Sequence, residues 1–123
     1  MKRFLLTVCF LLALFTFAQP SYAEWRDSGV NGIEYYWDTD SVQNDRGTIS
    51  FLLKYIPESK YTMIFNSVID RSGTIIYLVY RRQYDTSGNL VEATPTNDIY
   101  LIEETNLKTT CAQVREYVRQ NNL

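Results

Sequence analysis

The chain has no histidine in 123 residues. That absence removes Ser-His-Asp and Cys-His nucleophilic catalysis, and with it the commonest protein ligand for transition metals. Cysteine is nearly as scarce, present only as Cys9 and Cys111, and glycine and proline number five and three. No glycine-rich phosphate loop and no Ser-x-x-Lys spacing occurs. Any chain with 14 acidic residues offers carboxylate pairs, so their presence carries no sign of glycoside hydrolysis. These gaps point away from an enzyme, and no cofactor is expected.

A calcium loop fails on inspection. In "DTDSVQNDRG" (38–47), Asp38 and Asp40 fit the first and third positions of an EF-hand loop, but Val42 and Gln43 stand where an oxygen ligand and a glycine are required. An acidic turn is the plainer reading, and no metal is expected.

Long apolar runs are missing beyond the start of the chain. There, Lys2 and Arg3 precede a 15-residue apolar run from Phe4 to Ala18, followed by Pro20 and by the small residues Ser21 and Ala23. This is the three-part layout of a secretory signal peptide, with cleavage expected between Ala23 and Glu24. The run is shorter than the roughly 20 residues of a spanning helix, so an uncleaved anchor is the lesser alternative. Cys9 lies inside the run, where it cannot serve as a lipoprotein cysteine. Residues 1–23 are therefore read as a signal peptide and 24–123 as one domain, secreted or periplasmic.

Removing 23 residues from 123 leaves 100, enough for one modest core. The remaining 10 basic and 14 acidic residues give a net charge of −4, which offers no general attraction to nucleic acid. With Cys111 alone, the domain cannot close an internal disulfide; the thiol is either a small core residue or one half of an intermolecular bridge.

What the chain does have is aromatic and β-branched residues. Segments 32–39, 47–56, 61–70 and 74–85 read as strands, with "NLVEA" (89–93) and "DIYLIEE" (98–104) as shorter ones. In 47–56, Ile49, Phe51, Leu53 and Tyr55 alternate with Thr48, Ser50 and Lys54, the mark of a half-buried strand. The links "NDRG", "DRSG" and "DTSG" each end in glycine, as in hairpins built on a type I turn and a bulge. In the tail, Leu107, Cys111, Val114 and Val118 fall on one face of a helix, with Thr105 or Asn106 as candidate caps. The expected fold is α+β: an antiparallel meander of about five to six strands with a C-terminal amphipathic helix packed on one face.

One stretch invites a functional reading. In "YRRQYDTSGNL" (80–90), Tyr80, Arg82 and Tyr84 share one face of a strand and Arg81 and Gln83 the other. The stretch is either a partner-binding surface at an open strand edge or a strand end running into solvent. On period two alone, Tyr80 would share its face with Ile76 and Leu78.

The order "EWRDSG", "YYWDTDSV", "RRQYDTSGNL" and "EETNLKTTC" behind a signal peptide resembles the bacterial surface-adhesin protein E family. The resemblance covers most of 24–123 and implies a small antiparallel sheet with helical cover and a non-enzymatic, adhesin-like role in binding another macromolecule. It assigns no binding residues. The chain departs from the family in lacking a lipobox and a tryptophan in "PTNDIYLIEE". The functional expectation is thus a secreted or cell-envelope binding protein, monomeric or a weak dimer. A small secreted inhibitor or envelope accessory protein is the alternative, and a small-ligand carrier a more distant third.

Overall fold

The computed structural model describes residues 24–123, so the expected signal peptide lies outside the described residues. Seven strands follow in order: β1 (Trp25–Asp27), β2 (Glu34–Asp38), β3 (Gln43–Asp45), β4 (Thr48–Ile56), β5 (Thr62–Ile69), β6 (Ile75–Tyr84) and β7 (Leu90–Leu101). A helix, α1 (Lys108–Gln120), closes the chain. All neighbouring strands are antiparallel, in the order β1-β2-β4-β5-β6-β7, with β3 hairpinned onto β4. The fold is α+β, with an antiparallel sheet and one C-terminal helix. The strands exceed the expected number because β1 and β3, three residues each, carry too little pattern to read. "NLVEA" and the first part of "DIYLIEE" in turn belong to one long strand, β7, while Ile102–Glu104 form a turn of 3-10 helix.

β2 and β3 lie end to end along the same edge of β4, separated by a turn of 3-10 helix (Thr39–Ser41). The break would orphan a backbone donor of β4. Ser41 supplies the missing acceptor, since its hydroxyl takes the Leu52 N–H at 2.8 Å. Two of the three glycine-ended links are built as the sequence suggested; in the third, Arg46 and Gly47 both take positive φ (55° and 99°) in a two-residue turn between the paired Asp45 and Thr48. In each of the two, the glycine N–H closes a turn onto the aspartate carbonyl, Gly73 to Asp70 at 2.9 Å and Gly88 to Asp85 at 3.0 Å. Both glycines take positive φ, at 76° and 88°, where a side chain would be strained.

The core lies between one sheet face and α1. Ile49, Phe51 and Leu53 from β4, Phe65 and Ile69 from β5, and Ile76 and Leu78 from β6 meet Leu107, Cys111, Val114 and Val118. The four helix positions chosen from spacing are all buried. Neither candidate cap fills that place: the capping position is Leu107, which makes no side-chain cap bond, and the Thr105 hydroxyl instead accepts the Leu107 N–H at 3.1 Å in the turn before the helix.

β6 departs from simple alternation at Val79. Leu78 pairs with Ser67 but Tyr80 with the adjacent Asn66, so Val79 is an extra residue, a β-bulge. The hydroxyl of Thr96 on β7 donates to the Leu78 carbonyl at 2.5 Å beside it. The consequence corrects the period-two reading: Ile76 and Leu78 face the helix, while Tyr80, Arg82 and Tyr84 turn to the opposite face. β6 is also not an edge, because β5 and β7 pair with it on either side. The edge next to β6 belongs to β7, where Pro95 and the positive φ of Asn97 (56°) interrupt regular pairing with any added strand, and β1 and β3 lie at the other edge.

Candidate functional site: the uncovered face of the sheet

The face of the sheet opposite α1 has no helix packed over it among the described residues. Register determines what it shows. Asp27 pairs with Tyr36, Tyr36 with Lys54, Lys54 with Ile64, Ile64 with Arg82 and Arg82 with Ala93. Side chains on one face of paired strands stand side by side, so these residues form a single row across six strands.

Lys54 is the centre of that row. Its ammonium lies 4.5 Å from the centroid of the Trp25 ring and 4.9 Å from that of Tyr36, within reach of two cation–π contacts. Burial between the rings lowers the Lys54 pKa, while the charge of Glu34 acts the other way. Glu34 also accepts the Tyr36 hydroxyl at 3.1 Å. The Tyr36 phenol is raised above its ordinary value, mainly by burial and next by that hydrogen bond. Along β6, the Arg82 guanidinium stands 5.9 Å from the Tyr80 ring centroid and donates to Asn66 Oδ1 at 3.1 Å. The two arrays are the same device, a cation steadied against an aromatic face with a polar neighbour fixing its direction.

Beside the row is a concavity of about 410 Å³. Trp25, Lys54, Ile64 and Tyr84 line its wall, and Tyr61 and Lys60 stand on the link after β4. Asp85 also lines it, but its Oδ1 accepts the N–H groups of Ser87 and Asn89 at 2.9 and 2.8 Å and so holds the turn. The concavity therefore offers two ammonium groups and several aromatic rings.

Of the residues singled out from sequence, Tyr80, Arg82 and Tyr84 come together on this face. Arg81 and Gln83 project to the helix side, where Arg81 pairs with Glu92 at 2.8 Å. The expectation of free backbone groups at this stretch fails, since β6 is interior. Trp25, Tyr36 and Lys54 escaped the sequence reading. They come from three strands and meet only through the β1–β2–β4 register, which skips β3.

The remaining candidates have structural work. Asp38 Oδ1 accepts the backbone N–H of Asp40 at 2.9 Å, so it caps a turn, and among the described residues no group of three or more His, Cys, Asp or Glu could hold a metal. Cys111 is 2% exposed, and burial pushes its thiol up to about 12 despite Arg115. No helix among the described residues is long and apolar enough to cross a membrane. Comparison with family models, curated proteins and solved structures gives no match.

Proposed function

We propose that this is a non-enzymatic, secreted or cell-envelope binding protein, adhesin-like as the family resemblance implies, that recognises another macromolecule through the uncovered sheet face. One observation carries the reading. The face displays Lys54 between Trp25 and Tyr36, Arg82 beside Tyr80, and Tyr84 at the rim of a concavity, with no element of the described chain over them. Tyrosine, tryptophan and arginine dominate interface energies because they bury large areas while keeping a polar handle. Cations already steadied against rings lose less side-chain freedom when a partner docks. The inhibitor alternative has less support, because the links between strands are short turns and none extends as a long loop.

Pull-down from envelope and host-matrix extracts identifies the partner, and titration then measures affinity. Arg82→Ala combined with Tyr84→Ala weakens binding by about tenfold or more, roughly 1.4 kcal/mol. A folded double variant with unchanged affinity would remove this face from the reading.

A further inference from the structure

Glu24 is the residue that follows the expected cleavage point, and the structure clamps it to the turn after β2. Its N–H donates to Asp38 Oδ1 at 3.1 Å. Its carbonyl accepts the Thr39 N–H at 3.0 Å, and its Oε1 accepts the Thr39 hydroxyl at 2.8 Å. Asp38 is only 5% exposed, and the same Oδ1 also takes the Asp40 N–H. Burial raises the Asp38 carboxyl above its ordinary value, with these two N–H donors pulling the other way. Among the described residues no lysine or arginine forms an ion pair with it. A buried carboxylate held by neutral donors alone is costly until a cation comes within reach.

We propose that hydrolysis of the Ala23–Glu24 bond completes the fold, because the α-ammonium released on Glu24 is the cation that pairs with Asp38. The reaction consumes one water. Ala23 leaves with a new carboxylate, and the Glu24 nitrogen, no longer an amide, becomes an ammonium. That nitrogen need not move, since 3.1 Å is already hydrogen-bonding distance, and a neutral donor becomes a charged one. The Glu24 side chain and Asp40 add negative charge around Asp38 and strengthen the attraction for an ammonium. Processing is thereby tied to stability: the uncleaved chain holds the same geometry without the charge. The inference rests on the secreted reading given above and concerns a different part of the molecule from the binding face.

The test has two stages. Intact mass of the exported protein gives its first residue, which is expected to be Glu24. The 24–123 chain, which contains every described strand and α1, is then unfolded in denaturant with a free or an acetylated N-terminus, each with and without Asp38→Asn. Acetylation raises the unfolding equilibrium constant about tenfold when Asp38 is present. After Asp38→Asn it has much less effect. An exported chain beginning elsewhere overturns the proposal at its first step and leaves the binding face untouched. A chain that begins at Glu24 but unfolds equally with either terminus overturns the pairing while upholding export.

Discussion

The indole N–H of Trp37 donates to Oε1 of Gln113 across 2.9 Å, joining β2 to the middle of α1. The same amide donates through Nε2 to the Ser28 carbonyl at 2.8 Å, and the Thr110 hydroxyl one turn earlier donates to Ser28 Oγ at 2.6 Å. One glutamine thus holds the N-terminal segment and the sheet to the helix. Gln113→Leu keeps comparable bulk but leaves the Trp37 donor, which is 2% exposed, without its acceptor. The expected loss is about 2 kcal/mol, the usual penalty for a buried unsatisfied donor plus a lost bond. Urea unfolding measures it; a loss under about 0.5 kcal/mol would mean that water replaces the amide.

Cys111 gives a prediction in reactivity and one in pH. Its burial among Leu107, Val114 and the strand core predicts slow alkylation under native conditions, at a rate set by unfolding. The thiol pKa rises from 9.0 to about 12 on folding. Its contribution to stability is therefore fully present below pH 9 and is lost as the pH rises towards about 12, since the unfolded thiol ionises first. In Cys111→Ser that alkaline loss shrinks, and the variant is less stable at neutral pH by about 1–3 kcal/mol if the hydroxyl finds no partner. Fast native labelling, or a dimer abolished by reduction, contradicts the buried position.

At the acid end the informative group is Asp70. Its carboxyl is held below the ordinary value, mainly by the Ile75 N–H, against a smaller opposing effect of burial and with help from Ser72. Both the Thr74 and Ile75 N–H groups point at Oδ1, at 2.9 and 3.0 Å. A lowered folded pKa means a contribution present above the unfolded value of 3.8 and lost as the pH falls through the folded one. Asp70→Asn should flatten the stability profile over that acid window and leave its alkaline side unchanged. An unaltered acid limb, followed by denaturation at fixed pH steps, would show that Asp70 does not carry this dependence.

These couplings explain how far the sequence could be read. Ile49, Phe51 and Leu53 announce a half-buried strand because alternation is a local pattern. Leu107, Cys111, Val114 and Val118 announce a helix face for the same reason. The Val79 bulge has no such local sign. Neither glycine nor proline marks it, and it is defined by a one-residue shift against Ser67 and Asn66 on another strand. The meeting of Trp25, Tyr36 and Lys54 is non-local in the same sense. It requires that β2 and β3 share one edge of β4, a fact of register rather than composition.

Arg81 and Arg82 are adjacent in the chain and opposite in the sheet, and they should behave oppositely on mutation. Arg81 pairs with Glu92 where both side chains remain partly exposed, so water screens the pair, and its Nε is buried without a hydrogen-bond partner. Removing it loses a weak ion pair and relieves an unsatisfied donor, two effects of opposite sign. Arg81→Ala should change stability by less than about 1 kcal/mol and leave partner affinity as it was. Arg82 lies on the uncovered face, with Asn66 Oδ1 and the Tyr80 ring directing its guanidinium. Arg82→Ala should also leave the fold nearly intact, because partly exposed contacts of this kind contribute little to stability. On partner affinity it should act alone in the direction of the double change with Tyr84, weakening binding several-fold. Arg82→Lys separates charge from shape: an ammonium keeps the charge but loses the planar fork, so only part of the affinity returns. Titrating the four proteins against the captured partner decides the matter. Equal losses at Arg81 and Arg82 would show that binding does not distinguish the two faces of the sheet, and the uncovered face would no longer be the contact surface.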